Sequence, residues 1–86
     1  MVIKKELMKR SVAGETFLVP LGKAVYDNNG LFFLTEVGAF LWDLLPEAQS
    51  EEDLLNAVLA EYDVEPDTAQ ADIRAFLDKL TAMEII

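Results

Sequence analysis

The chain contains neither cysteine nor histidine. Without cysteine it has no disulfide framework, no thiolate nucleophile and no thiolate ligand for a metal. Without histidine it also lacks the side chain that most often acts as a general base or binds a transition metal. Carboxylate, lysine and tyrosine side chains remain, but no nucleophile, metal-binding or phosphate-binding motif accompanies them. We therefore expect a protein that is not an enzyme and that uses no cofactor or metal.

Basic residues are also scarce, with 7 Lys and Arg against 16 Asp and Glu and a formal net charge of -9. Five of the basic residues fall within residues 1–23, whereas residues 24–86 carry two basic and fourteen acidic residues. Phosphate backbones and anionic lipid surfaces attract cationic proteins, so nucleic acid and membrane partners are disfavoured. The negative charge is compatible with a partner that has a basic patch. It is equally compatible with an acidic surface whose only role is to keep the protein soluble.

Long apolar runs are missing too. No stretch approaches the roughly 20 apolar residues that a membrane-spanning helix requires, and no signal-peptide pattern is present. The 86 residues, 52% of them apolar, are enough for one small domain with a modest core. We expect a soluble cytoplasmic protein with a single domain over residues 1–86.

The first third of the chain has the composition of strands. Beta-branched and aromatic residues predict strands over residues 7–12 and 16–19, which form a hairpin across a Gly-containing turn. Residues 23–26 are either a brief strand or a connector, and residues 27–30 form a turn because Asn and Gly tolerate positive φ. Residues 31–34 are the predicted third strand.

From Thr35 onward the apolar residues recur at helical spacing. Thr35 is the predicted N-cap of a first helix that Pro46 stops, and the stretch from Ser50 to Asp53 resembles the capping box of a second. Pro66 suits the first turn of a third helix, which runs to about Met83. Strands followed by helices predict an α+β fold, in which a small three-stranded antiparallel sheet precedes three helices in a winged-helix-like arrangement.

The third strand has no polar residue on either face. Alternation sends Phe32 and Leu34 to one face and Leu31 and Phe33 to the other. One pair enters the core. The other pair either lines a groove where an extended peptide adds a strand, or is buried against a helix or a second copy of the chain.

The third helix carries the two basic residues that follow position 23, Arg74 and Lys79. They either pair locally with Asp78 and neighbouring acids or recognise an acidic residue on a bound peptide. Spacing alone does not choose between these interpretations. Trp42, at the margin of the first helix's apolar stripe, is predicted to lie in the core.

Several motifs, taken in order, resemble the PqqD family over nearly the whole chain. The strand-to-helix stretch runs Leu-Thr-Glu-Val-Gly-Ala-Phe-Leu-Trp over residues 34–42. The hairpin sequences at 10–15 and 17–20 precede it, and the motifs at 50–54, 61–64 and 72–77 follow it. Each motif consists mostly of residues that pack in a core or cap a helix. The order and spacing of the motifs together are fairly specific to the family.

This resemblance implies a recognition element for ribosomally synthesised and post-translationally modified peptides (RiPPs). Such proteins are non-catalytic adaptors that bind the leader segment of a precursor peptide and present it to a maturation enzyme, often a radical SAM protein. Their leader adds a strand beside the third strand, in the groove against the third helix. By position, the implied peptide-binding residues are Gly30, Leu31, Phe32, Phe33, Leu34, Ile73, Arg74, Phe76, Leu77, Lys79 and Leu80.

Two other functions compete with this one. A winged-helix regulator that binds nucleic acid is suggested by fold analogy alone, and its recognition helix would hold more acids than bases. A structural homodimer would bury the third strand against a second copy of the chain.

Overall fold

The computed structural model describes residues 1–21 and 32–86, and in these residues three strands precede three helices. The strands are β1 (Leu7–Val12), β2 (Glu15–Pro20) and β3 (Phe32–Leu34), and the helices are α1 (Glu36–Leu44), α2 (Glu51–Glu61) and α3 (Pro66–Ala82). The strands form one antiparallel sheet in the order β1-β2-β3. The predicted α+β class is confirmed. The predictions for residues 23–30, and the positions Gly30 and Leu31, lie outside the described residues.

The β1–β2 hairpin turns on two residues, Ala13 and Gly14. Both have positive φ, 53° and 82° respectively. Two central residues with positive φ are typical of a type I′ turn, whose twist matches that of the flanking strands. The turn sets the register in which Val12 faces Glu15 and Leu7 faces Pro20.

The helices begin at the predicted residues. The Thr35 hydroxyl accepts a hydrogen bond from the Gly38 N–H at 3.0 Å, and the Ser50 hydroxyl accepts one from the Asp53 N–H at 3.3 Å. Each cap satisfies one backbone donor that a helix start would otherwise leave unpaired. Pro66 occupies the first turn of α3, where its missing N–H costs nothing.

The core lies between the inner face of the sheet and the three helices. Leu18 and Phe32 enter it from the sheet, and the predicted core position of Trp42 is confirmed. The buried helical and C-terminal residues include Leu41, Leu45, Leu54, Val58, Ile73, Leu77, Leu80 and Ile85. Among the described residues, no helix is both long and apolar enough to cross a membrane.

Candidate functional site

Strand β3 lies at the edge of the sheet. It pairs with β2 alone, in the register Leu18 to Phe32 and Thr16 to Leu34. No strand from residues 1–21 or 32–86 pairs with its other side. An edge strand presents unpaired N–H and C=O groups, which can pair with a further extended chain. The free side of β3 can therefore accept a peptide strand.

Helix α3 packs beside β3 through Phe76. The rings of Phe32 and Phe76 meet edge to face, with centroids 6.5 Å apart and planes 89° apart. Phe32 is only 8% exposed, while Phe76 is half-buried. The Lys79 Nζ lies 4.8 Å from the centroid of the Phe32 ring, within the range of a cation–π interaction. Phe76 and Lys79 thus present an apolar and a cationic group next to the strand.

Gly38, in the first turn of α1, makes the close approach of these elements possible. A Cβ atom at this position would lie 3.7 Å from Leu34 Cδ2, 3.7 Å from Phe76 Cε1 and 3.2 Å from the Thr35 Oγ1. A Cβ alone would make ordinary van der Waals contact with Leu34 and Phe76 and would crowd the Thr35 hydroxyl, whereas side-chain atoms beyond Cβ would press on β3 and α3. This role of Gly38 was not predicted from the sequence, although a glycine inside a helical pattern is a signal of close packing.

The outer face of β3 is exposed. Phe33 is 59% exposed and packs edge to face against Phe17 of β2, with ring centroids 6.0 Å apart. The register places Val19 and Met8 on this same face, and Met8 is 41% exposed. Alternation along β3 is as predicted, since Phe32 points inward and Phe33 outward. For Phe33, burial against a helix of the same chain is wrong.

The predicted residues of α3 divide into two groups. Ile73, Leu77 and Leu80 are at most 2% exposed and lie in the core. They support the site from beneath and offer no surface to a ligand. Phe76 and Lys79 reach the surface beside β3.

Arg74 points to a different neighbour. Its guanidinium contacts Glu51 at the start of α2, and its Nη2 lies 2.9 Å from Asp78 Oδ1. Of the two interpretations, local ion pairing is the one observed for Arg74. All three side chains are well exposed, so these pairs contribute little to stability.

Tyr62 lies at the C-cap of α2, next to Asp63. Its ring packs edge to face on Phe40 with centroids 5.4 Å apart. Desolvation raises the pKa of Tyr62 above 10.0, and the carboxylates of Glu36 and Glu61 raise it further. The phenol therefore stays protonated at neutral pH and is no nucleophile.

The family profile described as Coenzyme PQQ synthesis protein D (PqqD) matches residues 15–86, which include β2, β3 and all three helices. The chain belongs to the PqqD family. Among solved structures, this PqqD-family chain is similar to "TbiB1 in Complex with the TbiA(beta) Leader Peptide". The two share 30% sequence identity with a TM-score of 0.72, and the match covers 99% of this chain and 93% of that one. No curated protein sequence matches the chain.

Proposed function

We propose that this PqqD-family protein is a non-catalytic adaptor, which binds the leader segment of a ribosomally synthesised precursor peptide and presents it to a maturation enzyme. The observation that carries the proposal is the edge of β3 that no other described strand pairs with, beside Phe76 and Lys79 of α3. The family membership and the leader complex of a solved relative at 30% identity support it.

The leader would bind by β-strand addition. Its backbone would pair with the free N–H and C=O groups of β3, which supplies affinity with little dependence on sequence. Its apolar side chains would pack on Phe76 and on the half-buried Leu34, because desolvated apolar anchors dominate the energetics of such interfaces.

We further propose that the enzyme that receives the leader is a radical SAM protein, as the resemblance to the family implies. Residues 1–86 would act as a single recognition domain, and the protein would act in the cytoplasm. A nucleic-acid-binding role has no comparable support, because Arg74 is paired with carboxylates and the described chain is mostly acidic outside β1.

A titration followed by backbone amide NMR tests the proposal. Isotope-labelled protein is titrated with candidate leader peptides, taken from short reading frames next to its gene, and a scrambled peptide of the same composition is the control. We expect saturable shifts in residues 30–34 and in α3 with the leader alone. Shifts confined to other residues would refute the assigned site.

A homodimer is a second candidate, and the exposure of Phe33 and Met8 on the outer face of the sheet favours it. Such a dimer would bury these side chains against a second copy. Sedimentation over a range of concentrations separates the two states. A monomer at every concentration would eliminate the homodimer and leave the adaptor unaffected.

A further inference from the structure

We infer that the peptide site selects a charge at one position along β3. Lys79 selects a carboxylate on the peptide beside Phe32. This inference rests on the proposed function, since it concerns the peptide that the site would accept. It identifies Lys79, not Arg74, as the specificity-determining cation of α3.

Helical geometry separates the two cations. Successive residues of an α-helix are rotated by about 100°, so Lys79 lies roughly 60° around α3 from Phe76, whereas Arg74 lies roughly 160° away. The contacts agree with this rotation, because Lys79 lies over Phe32 of β3 while Arg74 contacts Glu51 of α2. Only Lys79 is on the side of α3 that faces the strand.

The two cations also differ in their partners. Arg74 contacts two carboxylates, Glu51 and Asp78, which offset its charge. Within residues 1–21 and 32–86, no carboxylate lies within ion-pair distance of Lys79. Its ammonium instead lies over the π face of Phe32, a contact that orients the side chain without neutralising it. Lys79 can therefore pair with a peptide carboxylate at no cost in existing ion pairs.

A peptide strand on β3 would thus meet a cation beside Phe32. Opposite charges attract across such an interface, so the site favours a peptide that carries a carboxylate at this position.

A phage-displayed library of random linear peptides tests this inference without knowledge of the precursor. The library is selected against wild-type protein and against Lys79→Met, Lys79→Glu and Arg74→Met. Arg74→Met is the matched control, since it removes the other cation of the same helix. Circular dichroism melts verify that each variant is folded before selection.

We expect the wild-type protein to enrich peptides with Asp or Glu at one fixed position relative to their apolar residues. This preference should disappear with Lys79→Met, change to Lys or Arg with Lys79→Glu, and persist with Arg74→Met. One selected peptide is then synthesised with its acid and with the corresponding amide. Fluorescence polarisation should give about 5-fold weaker binding of the amide to wild type and equal binding of both to Lys79→Met, since an exposed ion pair contributes up to about this factor.

The outcomes separate the two proposals. The same acidic preference with Lys79→Met, or its loss with Arg74→Met, would overturn the assignment to Lys79 and leave leader binding intact. A wild-type selection that enriches apolar residues without any charge preference would do the same. No enrichment of any peptide by the wild-type protein would overturn the proposed function, and this inference with it.

Discussion

Replacing Phe76 with alanine tests the site most directly. Phe76 is half-buried, packs on the ring of Phe32 and lies next to Leu34 across Gly38. Truncation removes the apolar surface that α3 presents to a peptide on β3, while Ile73 and Leu77 keep α3 in the core. We expect Phe76→Ala to weaken peptide binding by at least about 10-fold, the loss typical of a desolvated aromatic anchor.

The cost in stability can be bounded. Phe→Ala in a core costs about 3 to 5 kcal/mol, and a half-buried ring loses roughly half of this, so the expected cost is about 2 kcal/mol. Domains of this size have a free energy of unfolding of about 4 to 13 kcal/mol. Even at the lower limit the variant remains well over nine-tenths folded. A 10-fold loss of binding therefore cannot come from unfolded protein.

Phe40→Ala is the matched control. Phe40 is also half-buried and also packs edge to face on another ring, that of Tyr62. It lies two residues after Gly38 and thus about 200° around α1, on the side away from β3. We expect a similar loss of stability in both variants, measured by urea denaturation. Only Phe76→Ala should lose peptide binding, measured by fluorescence polarisation with a selected peptide.

Two results would refute this reasoning. If Phe76→Ala binds the peptide as tightly as wild type, the groove between β3 and α3 is not the binding site. If both variants lose binding equally, the effect reports general destabilisation and not a contact with the peptide.

Three further predictions concern other parts of the chain. Ala13→Asn should raise the free energy of unfolding by about 0.5 to 1 kcal/mol, because Asn tolerates the positive φ of this turn position better than Ala; a lower melting temperature would contradict this. Gly38→Val should lower both stability and peptide affinity, since its side chain would separate β3 from α3; normal affinity in the folded variant would show that this spacing is unimportant. The Tyr26→Phe variant leaves Tyr62 as the one tyrosine that titrates, and its absorbance titration should have a midpoint above pH 10.0. The contribution of this raised pKa to the free energy of unfolding should be present below pH 10 and decline at higher pH. A midpoint below 10.0 would contradict the placement of the phenol beside two carboxylates.

Local patterns in the sequence were sufficient to predict the described strands and helices and their order along the chain. The caps at Thr35 and Ser50 and the start of α3 at Pro66 were predicted correctly, because capping depends on neighbouring residues and on little else. Alternation correctly placed Phe32 and Phe33 on opposite faces of β3, but it did not say which of them enters the core. The resemblance to the PqqD family was also within reach of the sequence, since its motifs keep their order and spacing.

The contacts of individual side chains could be identified only from the folded structure. Helical period places Arg74 and Lys79 on α3 but cannot say that Glu51 will meet the first and Phe32 the second, because those contacts depend on how α3 rotates against α2 and the sheet. The same holds for Gly38, whose small size matters only once β3 and α3 lie against it. Likewise, β3 is an edge strand because of the sheet order, which arises from pairing between distant segments. Interactions along the chain could thus be read from its residues, whereas contacts between remote segments depended on packing.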